Sequence, residues 1–146
     1  RELAGDEPVL VAYGDCLSDI DIQEMVESHR RQQSLATMAI AHPTGRNEIL
    51  ALNEQGCYIG TKQGKKQKHS WVNACSMVLE ARAFDYLKEN QENHFALSLM
   101  DCLAAHEPVQ TYRHEGFWSP VETIRDKTWM ENLWAQHKAP WKVWED

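Results

Sequence analysis

The sequence predicts an α/β fold with a mostly parallel sheet and an added β-hairpin. Three observations carry that expectation: short apolar runs bounded by turn residues alternate with stretches of helical periodicity, a strand, helix, strand succession opens the chain, and a hairpin pattern follows it. The first run, Pro8-Val9-Leu10-Val11-Ala12-Tyr13, is continuously apolar and is stopped by Gly14-Asp15. That is the pattern of a strand buried on both faces, so a central place in the sheet is expected. Ser18, Asp19 and Asp21 then offer helix caps, and Ile22, Met25, Val26 and His29 follow at helical spacing up to the polar Arg30-Arg31-Gln32-Gln33. Residues 35–41 read as a second buried strand, which closes a unit that calls for parallel pairing.

From His42-Pro43-Thr44-Gly45-Arg46 the character changes to turns and a hairpin, with Ile49-Leu50-Ala51-Leu52 and Cys57-Tyr58-Ile59 flanking Asn53-Glu54-Gln55-Gly56. Residues 61–70 hold four lysines and no acid, which suits a solvated loop or a phosphate-facing one. Residues 71–79 read as a third buried strand and residues 81–87 as a helix. Residues 95–105 form a further helix, with Phe95, Leu99, Cys102 and Leu103 on one side. Residues 108–113 alternate like an exposed strand, and residues 122–138 read as a long helix with Ile124, Trp129, Leu133 and Trp134 available for packing.

Composition narrows the functional classes. Lys plus Arg is 15 against 22 for Asp plus Glu, and the net charge of −7 disfavours binding to a nucleic acid polymer through phosphate neutralisation. No apolar run approaches the roughly 18 residues of a membrane span, and the first residues carry no signal-peptide core, so a soluble cytoplasmic protein is expected. Cys16, Cys57, Cys75 and Cys102 form no C-x-x-C pair, which favours reduced cysteines used as small core residues. Five of the six tryptophans lie beyond Phe117, so that end must bury them or bind something with them.

Ligands of open α/β sheets bind beyond the carboxyl ends of strands, where Asp15 stands after a strand and a glycine. A carboxylate there suits a hard cation such as magnesium; a turn or capping role is the alternative. Asp19 and Asp21 have capping explanations. Glu122 is a candidate second metal ligand, and it also fits as the acidic residue of a first helical turn. The seven histidines show no metal or triad spacing and read as surface or satisfied polar residues.

Several blocks together carry a resemblance. Tyr13-Gly14-Asp15-Cys16-Leu17-Ser18-Asp19-Ile20-Asp21-Ile22, His42-Pro43-Thr44-Gly45-Arg46, Trp71-Val72-Asn73, Gly116-Phe117-Trp118, Thr123-Ile124-Arg125-Asp126-Lys127 and Ala139-Pro140-Trp141-Lys142-Val143-Trp144 follow one another as in the cytidylyltransferases that act on glucose 1-phosphate. The chain therefore resembles the sugar-1-phosphate nucleotidyltransferases over nearly all of its length. The resemblance implies an incomplete Rossmann-like nucleotidyltransferase sheet with helices on both faces. It also implies transfer of the cytidylyl group of CTP onto the phosphate of glucose 1-phosphate, giving CDP-glucose and pyrophosphate, with magnesium, in the synthesis of surface polysaccharides. By the same resemblance Asp15 matches the family's metal-binding aspartate, and Glu122 falls at its second metal carboxylate. Lys62 matches the lysine that meets the sugar phosphate, Thr61 stands at the adjacent sugar-binding position, and Asn73 lies in the block lining the sugar pocket.

The departures are specific. Thr61 replaces a glutamate, Ala74 and Cys75 replace two glycines, Cys16 replaces another glycine, and Gly45-Arg46-Asn47-Glu48 replaces Gly-Arg-Phe-Gly. The chain starts without Met, and residues 1–146 match the carboxy-terminal portion of one nucleotidyltransferase domain. The amino-terminal nucleotide-binding part, with its glycine-rich phosphate loop, is expected to be missing, so the chain alone is expected to be inactive. Two further readings stand beside a truncated enzyme. One is a decayed relative that keeps a sugar-phosphate or metal site. The other is an oligomerisation relic whose tryptophan-rich end packs against another subunit of a homo-oligomer.

Overall fold

A computed structural model describes residues 5–43, 48–62, 69–89 and 95–145; the side chains at 87–89 and 95–98 lie outside that description. The Thr44-Gly45-Arg46 part of the first turn, the lysines Lys65, Lys66 and Lys68, and the side chain of Phe95 therefore fall outside the described residues.

The centre of the molecule is β3 (Ala36–Ala41), all six of whose residues are buried. It lies in a four-stranded sheet of order β1 (Val9–Ala12), β6 (Val72–Leu79), β3, β7 (Gln110–Arg113). Strands β1, β3 and β7 run in one direction and β6 runs against them, antiparallel to both β1 and β3. Apolar residues along β3 alternate between two cores, as the two-residue period of a strand requires. Ala36, Met38 and Ile40 face a cluster containing Leu99, Met100 and Leu103 of α2 (Phe95–Ala104) and Ala83 of the 3-10 helix Ala81–Glu89. Ala39 and Ala41 face a cluster containing Met25 of α1 (Ile22–Gln32) and Trp118 of β8 (Trp118–Pro120). Helices thus cover both faces. The expected hairpin is β4 (Ile49–Leu52) with β5 (Tyr58–Lys62), closed by Asn53, whose side-chain oxygen accepts from Cys57 N at 2.9 Å, and by Gly56 at φ 82°.

Several expectations are corrected. Strand β1 is not central: among the described residues it pairs only with β6, and Leu10 is 42% exposed. An apolar run marks a strand's affinity for burial and does not say how many neighbours it has. The first strand, helix, strand unit also does not close a direct parallel pair, because β6 enters between β1 and β3. Residues 81–87 belong to the 3-10 helix and not to an α-helix. The last helix, α3 (Ile124–Ala135), begins after Thr123, and its expected packing residues are largely outside: Ile124 is 85% exposed, with Trp129 and Trp134 about half exposed. Met130 is its buried residue. The short β2 (Cys16–Ser18), paired antiparallel with β8, had no signal beyond three half-polar residues.

One buried histidine is satisfied inside the fold. His29 is fully buried, with Nδ1 2.8 Å from Thr37 Oγ1 and Nε2 3.2 Å from Glu80 Oε1, which ties α1 to β3 and to the end of β6. Replacing it strands a buried hydroxyl, a loss of about 1–3 kcal/mol. His29→Leu is expected to lower the urea midpoint accordingly; an unchanged midpoint would show that the ring carries no polar tie.

Candidate functional site

Asp15 stands exposed between β1 and β2, and its carbonyl accepts from Val121 N at 2.8 Å, extending the β2–β8 ladder by one bond. That bond brings Glu122, the next residue, to the same edge. Glu122 is not in the first turn of α3. Thr123 is the N-cap, and its hydroxyl and N–H exchange hydrogen bonds with Asp126 in a capping box, so Asp126 is the acid that serves the helix dipole and Glu122 precedes it. The capping explanation for Glu122 is thereby removed. Asp15 caps no helix either, the cap of α1 being Asp21, which accepts from Glu24 N at 2.9 Å; Asp15 lies in the turn ahead of β2, as its turn reading expected.

Beneath these carboxylates β6 bulges. Met38 pairs with Met77 but Ile40 pairs with Asn73, so Ala74, Cys75 and Ser76 oppose Ala39 alone. Cys75 adopts φ 64°, in the left-handed region where a side chain costs about 1–2 kcal/mol and glycine costs little. Asn73 supports the turn, its side-chain oxygen accepting from Cys75 N at 2.8 Å. Tyr13 N donates to Cys75 O at 2.9 Å as the next rung of the β1–β6 ladder, and the Trp118 indole N–H donates to Ala74 O at 3.1 Å.

The bulge turns Cys75 towards Cys16, and the two sulfurs and an Asp15 oxygen lie within 4.8 Å of one another. The Cys75 thiol is pushed well up by its hydrogen bond to Cys16, then by burial and by the charges at Cys16, Asp15 and Glu122. Cys16 is held below the ordinary thiol range by the same bond, with help from Trp118 and against burial and the Asp15 charge. Both carboxylates therefore act on one sulfur. The Tyr13 hydroxyl is buried with no partner among the described residues; burial, then Cys75 and Asp15, raise its pKa. Sequence spacing had no means of joining Cys16 to Cys75. The signal was that each replaces a glycine of the resembled family.

Thr61 and Lys62 are exposed at the end of β5, opposite Leu50 and Ile49. Among the described residues no hydrogen bond or ion pair ties either one to the Asp15 group. Beside Glu122 an open cleft of about 870 Å³ is lined by Phe117, Trp118, Thr123, Arg125 and Trp129 among others. Gly116 at its rim meets a packed wall: His114 Nε2 lies 2.8 Å from Asp19 Oδ1, although that nitrogen is aligned on the Phe117 carbonyl at 3.1 Å, so the Asp19 contact is one of charge and proximity.

Asp15 and Glu122 fit the oxygen ligands that magnesium takes, one or two carboxylates with water and phosphate completing the shell. The sulfurs do not suit it.

A curated relative from Salmonella typhi, a glucose-1-phosphate cytidylyltransferase, is 33% identical over 141 residues, which is 96% of this chain and 54% of that protein. The chain is homologous to glucose-1-phosphate cytidylyltransferases. The cytidylyltransferase of Salmonella typhimurium is 31% identical over 140 residues, again 96% of this chain and 54% of its own length, so the chain spans about half the length of the curated relatives it matches. A solved structure from Bacillus anthracis, provisionally named a glucose-1-phosphate thymidylyltransferase and in complex with a sucrose, superposes with a TM-score of 0.76. It covers 99% of this chain and 59% of its own at 14% identity, a likeness of fold. No family model matches. Against the cytidylyltransferase pattern, the bulge explains why glycine suits position 75: it is the residue that enters this backbone without strain.

Two stability changes follow. A methyl group at Gly116 would stand 2.6 Å from Asp19 Oδ1 and 2.8 Å from His114 Cε1, so Gly116→Ala is expected to lose about 1–3 kcal/mol in urea unfolding. For Cys75, the Gly variant should exceed the Ala variant in stability by about 1 kcal/mol, since only the latter retains a β-carbon at positive φ; equal midpoints would refute the strain.

Proposed function

We propose that residues 1–146 correspond to the carboxy-terminal part of a nucleotidyltransferase that joins CTP to glucose 1-phosphate, giving CDP-glucose and pyrophosphate. What supports this reading is the backbone bond from Val121, the neighbour of Glu122, to Asp15 at the end of β1, in a chain homologous to glucose-1-phosphate cytidylyltransferases. In-line attack of the sugar phosphate oxygen on the α-phosphorus needs positioning and charge neutralisation more than covalent work by the protein. Asp15 and Glu122 would hold magnesium, which when bound supplies neutralisation of the phosphoryl oxygens. Lys62 places an ammonium on a flexible stem for the sugar phosphate, with Thr61 beside it. Asn73 spends its side-chain oxygen on the bulge and keeps its NH2 for a sugar hydroxyl. The glycine-rich loop that cradles nucleotide phosphates in this family belongs to the amino-terminal part, and none of these residues replaces it.

The natural setting of this reading is the cytoplasm, where nucleoside triphosphates are made, and the product would serve polysaccharide synthesis. No helix among the described residues is long and apolar enough to cross a membrane. The half-exposed Trp129, Trp134 and Trp144 suit a homo-oligomer contact. A second reading, a decayed relative that binds without turnover, is favoured by Cys16 and Cys75 occupying glycine positions inside the site.

Binding and turnover separate these. The purified chain is expected to bind CDP-glucose in a magnesium-dependent way by calorimetry, with affinity falling at least about tenfold in Asp15→Ala, as loss of a charged ligand implies. Equal affinity in the variant removes Asp15 from the site. With CTP and glucose 1-phosphate the chain alone should release no pyrophosphate above background; turnover by a homogeneous sample would refute the division of labour between the two parts.

A further inference from the structure

We infer that Asp15, Cys16 and Cys75 form a thiolate–carboxylate site for a zinc-class cation. Such a site is distinct in chemistry from a magnesium site, although it shares Asp15 with the one proposed above. The inference rests on the placement of Asp15 and not on the transfer reaction. The three donor atoms lie within 4.8 Å of one another. Around a tetrahedral zinc ion, with Zn–S near 2.3 Å and Zn–O near 2.1 Å, neighbouring ligand atoms lie about 3.5–3.8 Å apart. Side-chain torsions alone can close that difference.

Three features make the cluster more than chance proximity. The sulfurs come from residues far apart in sequence, one on the short β2 strand and one on the bulge of β6, and both positions are backbone-constrained. Cys75 holds a conformation that disfavours every side chain, so a cysteine there carries a cost that a glycine would not. The ligands are also held from behind: Asn73 fixes the Cys75 backbone, and the Trp118 indole fixes the Ala74 carbonyl beside Cys16. Supports of this kind orient first ligands in metal sites.

Donor chemistry then selects the ion. Thiolates prefer zinc, cobalt(II) and cadmium to magnesium, and a site of two sulfurs and one carboxylate leaves a fourth position for Glu122 or for water. On binding, each thiol gives its proton to solvent and its sulfur forms a bond to the metal, with no change of oxidation state. A zinc-class ion seated there takes Asp15 away from magnesium, so it acts as an inhibitor of magnesium-dependent ligand binding.

Cobalt(II) alone, titrated anaerobically into the full chain with a phosphine reductant, tests this. One equivalent is expected to bring up a sulfur-to-cobalt charge-transfer band in the near ultraviolet and tetrahedral visible bands. Zinc should abolish both, and about a thousandfold excess of magnesium should leave them. Cys16→Ser and Cys75→Ser should each halve the charge-transfer intensity or remove it. Asp15→Asn, at an exposed position, should weaken cobalt binding at least about tenfold while both sulfur bonds persist. Absence of the charge-transfer band in the parent chain, its survival in the Cys16→Ser/Cys75→Ser double variant, or its loss to magnesium would each overturn the site. None of these readouts requires CTP, so failure here is distinguishable from failure of the transferase reading.

Discussion

Where β6 bulges at Ala74 and Cys75, the Ala74 carbonyl takes its donor from the Trp118 indole at the start of β8, while the Cys75 carbonyl continues the β1–β6 ladder to Tyr13 N. Buried carbonyls without partners are costly, so these two bonds are constraints and not ornaments. Each one fixes a carboxylate. Tyr13 is two residues before Asp15, and Trp118 begins the strand whose continuation carries Glu122. A regular β6 would keep the Tyr13 rung but pair the Ala74 carbonyl within the sheet, leaving the start of β8 without that anchor. The candidate site therefore depends on an irregularity whose own geometry favours glycine, and the chain meets it with a cysteine.

That substitution changes the chemistry more than the shape. A glycine at position 75 would bring no sulfur to the bulge, whereas the Cys75 thiol lies within 4.8 Å of the Cys16 sulfur and an Asp15 oxygen. The pair Cys16 and Cys75 turns a site suited to hard oxygen chemistry into one with soft donors at its floor. The carboxylates of Asp15 and Glu122 still face solvent, so the soft donors are added to them without covering them.

Much of the fold was legible from periodicity. Strands β3 and β6, helix α1, α2 and the β4–β5 hairpin fall close to where apolar runs, caps and turn residues put them, because each is decided locally. What could not be read was relation between elements. The run from Val9 to Ala12 looks the same whether it lies at the centre or the edge of a sheet, and nothing in residues 72–79 announces that the strand runs antiparallel between β1 and β3. Within the site, Asp15 was legible from its place after a strand, while Glu122 was ambiguous until Asp126 was seen to occupy the capping position. The bulge, the left-handed Cys75 and the approach of Cys16 are tertiary facts; only the comparison of glycine positions hinted at them.

The weak docking of α3 bears on how Glu122 keeps its place. With Ile124 almost fully exposed and Met130 its buried residue, the helix has too little apolar contact to fix its own start. The position of Glu122 is set instead from both sides by backbone bonds, Val121 N to Asp15 O before it and the reciprocal Thr123–Asp126 box after it. The aromatic cluster adds a second tether, since the Phe117 ring lies 6.2 Å from Trp129 on α3 and 5.5 Å from the buried Trp141 beyond it. The helix is consequently held at its first turn and by rings on one side. The backbone at Glu122 is therefore held on both sides while its side chain stays exposed, a placement that a free helix end would not provide.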